Sequence, residues 1–221
     1  MRPVTSIIAV VGSTLLLAAC TEQDSGERPQ PQAATTAAPS ELALQVRSAN
    51  GISAQHLIAG DLAGSLVINS QGIQRLDSND SPVAAALPGY YDTLAVAQDA
   101  AGLIAASHDL QRDQPVILRW NAAGAASAPE YLPSTGYPLE DLCFYQDQSD
   151  HRYLFLIGEE GLGQQWLIGE QGGPSRLVRN LHLPVGAKSC AVNSALSALF
   201  ISEEEGSIWQ YAAHPETDST R

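Results

Sequence analysis

Tyr153-Leu-Phe-Leu-Ile-Gly158 followed by Gln165-Trp-Leu-Ile168 is the stretch whose reading decides the fold. Two strand-length apolar runs are separated by an acidic, glycine-containing break, which is the pattern of a β-hairpin and not of an amphipathic helix. The phrase recurs. His56-Leu-Ile-Ala-Gly-Asp61 leads into Ser65-Leu-Val-Ile-Asn69, Gly102-Leu-Ile-Ala-Ala-Ser107 into Val116-Ile-Leu-Arg-Trp120, and Ala198-Leu-Phe-Ile-Ser202 into Ser207-Ile-Trp-Gln-Tyr211. Its starts are about 45 to 50 residues apart, the period of propeller blades. No long stretch of helical periodicity follows the first twenty residues. One hairpin cannot bury its faces alone, but neighbours stacked around an axis can. The expected fold is all-β, a β-propeller of four-stranded blades, with a β-sandwich as the competing arrangement of strands at this spacing.

Ahead of the repeats the chain changes character. Met1-Arg2 gives a positive start, Ile7 to Leu17 an apolar run, and Leu17-Ala-Ala-Cys20 a small-residue cleavage site. Residues 1–19 therefore read as a signal peptide, too short to span a bilayer, which takes about 20 apolar residues. The Leu-Ala-Ala-Cys phrase resembles the bacterial lipobox, which implies that Cys20 is acylated and anchors the protein to a membrane. Thr21 in the next position implies the outer membrane and a periplasm-side cell-envelope location. Residues 20–41 are rich in Gln, Pro, Ala, Thr and Ser and read as a disordered tether. Residues 42–217 remain for one globular domain.

The formal net charge is −13. That excludes nucleic acid as a natural partner, because such binding depends on Lys and Arg displacing counterions from phosphate. A polyanionic ligand would need a divalent cation between it and the chain, and carboxylates are the ligands hard cations prefer. After Cys20, only Cys143 and Cys190 remain, at matching places in successive repeats. They are able to pair in an oxidising compartment, but their apolar neighbours Leu142, Phe144, Ala191 and Val192 favour free buried thiols. Ser107-His108-Asp109 is contiguous, unlike a catalytic triad, which is assembled from separated positions. His56, His151, His182 and His214 share no metal-ligand spacing and read as surface or edge residues. Trp120, Trp166 and Trp209 recur at matching positions and read as packing between sheets.

Leu139-Glu140-Asp-Leu-Cys143-Phe-Tyr145, with Tyr153-Leu-Phe-Leu-Ile, Gln164-Gln165-Trp166, Arg176-Leu-Val-Arg179, Leu199-Phe-Ile-Ser-Glu203-Glu204 and Ile208-Trp209, resembles the β-propeller phytase family. The similarity runs from about Leu42 to Glu216 and is most specific from residue 137 onward. It implies a six-bladed propeller whose carboxylates hold calcium ions that clamp phytate and supply a calcium-bridged water for phosphomonoester hydrolysis. On that resemblance Glu140, Glu203 and Glu204 are expected metal ligands, and Asp61 a further one. Several positions depart from the family pattern. Lys188-Ser189-Cys190 stands where the family has Glu-Gly-Cys, and Asn193-Ser194 replaces an acidic pair. Gln164 replaces Glu, Leu62-Ala63 replaces two lysines, and His108 and Tyr90 stand where arginines hold phosphate.

Only about four blades of a six-bladed array are accounted for, and an unclosed array is expected to expose an apolar face and an unpaired edge. A complete phytase domain or self-association is the expected cover. Two functional readings follow: a calcium-dependent hydrolase of phytate or another phosphate ester, and a non-catalytic propeller module that binds a phosphorylated ligand or assists a complete phytase.

Overall fold

The computed structural model describes residues 54–57 (backbone only), 64–83, 87–99, 102–121, 123–170 and 173–216. They belong to one compact unit, Leu42–Arg221. The signal peptide, the tether, Cys20 and Asp61 lie outside the described residues.

The described residues form four antiparallel sheets, each a meander of consecutive strands. The first holds β1 (Ala54–Leu57), β2 (Gly64–Asn69) and β3 (Gly72–Leu76), with isolated bridges Leu76 to Pro82 and Ile73 to Leu87 along its outer edge. The second holds β4 (Tyr91–Asp99), β5 (Gly102–Asp109), β6 (Gln114–Asn121) and β7 (Glu130–Tyr131). The third holds β8 (Leu139–Gln146), β9 (Arg152–Gly158), β10 (Leu162–Leu167) and β11 (Arg176–His182). The fourth holds β12 (Ala187–Asn193), β13 (Ala198–Glu203) and β14 (Ile208–Ala212). Strand order within every sheet follows chain order, and β4, β8 and β12 pack side by side. This is a partial β-propeller. Among the described residues no helix is long and apolar enough to cross a membrane.

The cores lie between the sheets, one at each junction. Leu66, Ile68 and Ile73 meet Tyr91, Leu103, Val116, Leu118 and Trp120 at the first. Ile104, Ala106, Ile117 and Leu132 meet Leu142, Leu154, Leu156 and Trp166 at the second. Cys143, Tyr145, Phe155, Ile157 and Leu181 meet Ala187, Leu199 and Ile201 at the third. A sheet covered on both faces needs continuous apolar strands instead of alternating ones. β5 and β9 satisfy that: every residue of β5 and all but the first of β9 are buried. Each fully buried Leu, Ile or Phe contributes roughly 1.5–3 kcal/mol.

Glycine opens β2 and β5 for one reason. Gly64 and Gly102 sit at φ +145° and +142°, and a side chain there would run into the carbonyl oxygens of Leu76 and Trp120. The acids of the short turns are also structural. Asp77, Asp109 and Asp147 each accept two backbone N–H groups of the turn that follows, the Asx-turn arrangement. Part of the negative charge is therefore spent on turn geometry.

The structure corrects the reading of the cysteines. Cys143 and Cys190 form a disulfide, with Cα atoms 6.1 Å apart. Their apolar neighbours Leu142 and Phe144 point to the opposite face of β8, whereas Cys143 and Cys190 both face the third junction. The outward side of the fourth sheet is mixed: Ser189, Ala191 and Asn193 share it with Phe200 and Ile208, and the most exposed apolar side chains of the sheet are Ile208 (73%) and Trp209 (45%) on the edge strand. Trp120 and Trp166 do pack between sheets. Trp209 pairs with Ile201, nearer the rim than its two counterparts, on the last strand of a three-stranded sheet, and among the described residues no further strand covers it.

Candidate functional site

The second, third and fourth sheets share an irregularity at the start of their first strand. Tyr91 faces Asp109, Leu139 faces Gly158 and Ala187 faces Glu203, and the first strand then takes one extra residue before the ladder resumes. The bulge falls at Asp92-Thr93, at Glu140 and at Lys188. Bulges bend the strand and re-aim a side chain, and they recur beside active sites. The turns joining the second and third strands of each sheet reach the same rim and bring Asp113, Glu159 and Glu204 to it. The topology thus sets a charged bulge residue beside an acidic turn on three consecutive sheets.

Two of these positions carry the same arrangement, a pair of carboxylates bridged by a basic side chain. The Lys188 Nζ lies 3.3 Å from Glu140 Oε2 and 3.1 Å from Glu159 Oε1. Its pKa is raised, first by the Glu159 carboxylate, against the desolvation that opposes it, with Glu140 adding to the rise. Lys188 belongs to the fourth sheet and both acids to the third, so the bridge spans a junction. In the second sheet, His108 Nδ1 lies 3.6 Å from Asp92 Oδ1 and Nε2 lies 3.4 Å from Asp113 Oδ1. Asp92 is the main cause of a raised His108 pKa, Asp113 adds to it, and burial opposes both.

Glu140 is thus placed on the rim as a partner of Lys188. Glu203 ends β13, half-buried, and its N–H donates to Ser207 O at 3.1 Å. Glu204 is exposed in the tight turn that follows, and its N–H donates to Gly186 O at 2.9 Å. Among the described residues, Glu140, Glu203 and Glu204 do not converge: the one set of three ligand atoms within 4.8 Å of one another is Asp141, Cys143 and Cys190. Calcium takes 6 to 8 oxygens. With an ammonium between Glu140 and Glu159, the described rim does not fit the calcium cage that the resemblance implies.

Asp92, Asp113, Glu159 and Asp141 are the residues sequence reasoning passed over. Asp141 is the residue after the Glu140 bulge. Its carboxylate accepts the N–H of Cys190 and the N–H of Leu142, both at 2.8 Å, and burial raises its pKa against those two bonds. The signal for Asp92 and Glu159 was positional: each is acidic where Glu140 or Glu204 is acidic in another repeat.

The opposite rim carries a different cluster. Asp147 Oδ2 lies 3.0 Å from His151 Nδ1 and 4.0 Å from His214 Nε2 and accepts the Tyr153 hydroxyl at 3.4 Å. Burial works to raise the Asp147 pKa, but His151 and the turn N–H groups outweigh it and hold it low. Near that rim a cleft of about 490 Å³ opens between the second and third sheets, floored by Ile104, Trp120 and Ile168.

No protein-family model matches the chain. No curated protein matches it either. Among solved structures it is similar to a catalytically inactive virginiamycin B lyase from Staphylococcus aureus with quinupristin, at 11% identity and a TM-score of 0.45 over 76% of this chain and 58% of that one. It is also similar to BBS1N in complex with ARL6DN, at 16% identity and a TM-score of 0.41 over 67% of this chain and 48% of that one. The chain spans less than two thirds of the length of both.

Proposed function

We propose that this chain is a non-catalytic propeller module, tethered to the cell envelope through Cys20, that assists a complete phytase-like domain and does not itself hydrolyse phosphate esters. The observation that carries the reading is the Lys188 ammonium held between Glu140 and Glu159. A metal-activated water needs a divalent cation with an open coordination position, and here the position between two rim carboxylates is taken by a monovalent cation covalently part of the chain. On the same rim, Asp109 Oδ1 is engaged with the backbone N–H groups of its own turn, which removes a further carboxylate oxygen from a shared cage. Among the described residues β14 is an edge strand, and with Ile208 and Trp209 exposed it offers a second β domain a place to add a strand.

The test is a calcium titration by calorimetry on the folded full chain carrying Cys20→Ser, followed by a phosphate-release assay on phytate in the same buffer. The expected outcome is no saturable calcium uptake and no phosphate release. The hydrolytic reading, which keeps Glu203 and Glu204 as ligands beside Glu140, wins if phosphate is released in a calcium-dependent manner and Glu140→Gln abolishes the release.

A further inference from the structure

The cross-link between β8 and β12 does not stand alone. A carboxylate oxygen of Asp141 and the sulfurs of Cys143 and Cys190 lie within 4.8 Å of one another. Asp141 is held there by two backbone N–H donors, one of them the N–H of Cys190 itself. Cys143 is buried and Cys190 half-buried, on neighbouring inner strands of two packed sheets. We propose that this is a redox-gated site: when the disulfide is reduced, Cys143, Cys190 and Asp141 bind a thiophilic divalent cation of the zinc type.

The chemistry follows from the donor set. In the oxidised state both sulfurs are consumed in the S–S bond and offer no thiolate. A dithiol reductant breaks that bond by exchange through a mixed disulfide. Two electrons and two protons pass from the dithiol to the protein, leaving two protein thiols and the cyclic disulfide of the reductant. Zinc then displaces both thiol protons to the buffer and takes two thiolates and one carboxylate, with water as the fourth ligand. Zinc–sulfur bonds of about 2.3 Å in a tetrahedron set the ligand atoms about 3.7 Å apart. The three atoms need only small side-chain rotations to reach that spacing, because the sulfurs move apart once the bond is broken while Asp141 keeps its place through its backbone donors. Soft thiolates select zinc over calcium, so this site is chemically separate from the carboxylate rim.

The test uses the full chain with Cys20→Ser, so that Cys143 and Cys190 are the remaining cysteines. The chain is reduced with a dithiol in the absence of oxygen, freed of reductant, and its thiols are counted. Zinc affinity is then measured by competition against a chromophoric chelator, and cobalt is used as a spectroscopic substitute. The reduced chain is expected to bind one zinc per chain, to show thiolate-to-cobalt charge-transfer bands with tetrahedral d–d bands, and to lose both on reoxidation. Asp141→Asn, with both thiols intact, is expected to weaken zinc binding by about tenfold or more, since loss even of a partner behind a ligand costs about that much. Near-UV circular dichroism follows the fold in parallel. The proposal is overturned if the reduced chain binds zinc no better than Cys143→Ser/Cys190→Ser. It is also overturned if Asp141→Asn leaves the affinity unchanged, or if reduction unfolds the chain and zinc does not restore its spectrum.

Discussion

The junction between the second and third sheets and the junction between the third and fourth are built from similar apolar material and fastened differently. At the former, Ile104, Ala106 and Ile117 pack on Leu142, Leu154 and Leu156, and the polar links include Arg119, which donates to Gly169 O at 3.3 Å and pairs with Glu130, which in turn accepts the Ser175 N–H. At the latter, the facing sheet has three strands, and its outermost strand is exposed. This junction adds a disulfide, the Lys188 bridge, a Tyr145 to Ser197 hydrogen bond and a clamp around Arg179. The difference teaches that two junctions with cores of similar size are fastened by different means, the one between the third and fourth sheets carrying a covalent and several polar links. Each fastener is then open to removal, with an effect that the internal junction should not share.

The disulfide should dominate. It closes a loop of 47 residues between Cys143 and Cys190, for which chain entropy gives a stabilisation of about 4 kcal/mol. Cys143→Ser/Cys190→Ser should lower the urea midpoint accordingly. Hydrogen exchange should rise first in β12 to β14 and leave β5 and β9 protected. Uniform loss of protection across all four sheets would show that the fourth junction is no weaker than the others.

The clamp comes next. Arg179 Nε donates to Gln165 Oε1 at 2.7 Å, an Arg179 NH2 group donates to Ala212 O at 2.7 Å, and Gln165 Nε2 donates to Ala213 O at 2.8 Å. Gln165 is fully buried. Gln165→Leu leaves a buried carbonyl and a guanidinium N–H without their partner, a loss of about 2–3 kcal/mol. It is read as a lower unfolding midpoint, together with release of the segment after β14 to proteolysis.

His108 separates the two rim bridges by pH. Its folded-state pKa lies above the 6.5 of an ordinary histidine, with Asp92 the main cause. The imidazolium bridge therefore contributes fully below pH 6.5 and its contribution fades as pH rises through the folded-state value. His108→Gln should flatten the stability slope across that window and cost about 1 kcal/mol or less on its acid side. The Lys188 bridge should show no such slope there, since an amine whose pKa is raised above 10.5 stays charged. A stability profile of His108→Gln parallel to that of the parent would remove the distinction.

Much of this fold was legible in the residues because hairpin runs and their period depend on local chemistry. Tyr153 to Gly158 is apolar throughout because both of its faces are covered, and that continuity marks an inner strand. The disulfide was harder, because the flanks of Cys143 were apolar for another reason: Leu142 and Phe144 serve the second junction, on the other side of the sheet. Matching positions in successive repeats were visible. What they could not give was that neighbouring first strands lie side by side, which turns equal repeat positions into contacts. The same limit hid Glu159, whose meaning comes from a lysine of the next sheet.

Lys188 gives the smallest effect in stability and the most direct test of what the rim is for. Its bridge is at the surface, so salt screens it, and Lys188→Met should destabilise only slightly and less so at high ionic strength. The informative variant is Lys188→Glu, which places a third carboxylate beside Glu140 and Glu159. Three acids around one point repel one another unless a cation joins them, so this variant should gain a calcium-dependent rise in melting temperature that the parent lacks, in the weak affinity range of about 10⁻⁴–10⁻³ M. A parent chain already stabilised by calcium would mean that the ammonium does not take the cation's place, and the rim would have to be read as a metal site. A Lys188→Glu chain indifferent to calcium would mean that the two glutamates are held too far apart to share an ion. The bridge would then be one more fastener of the fourth sheet, set on the rim only because that is where the bulge points.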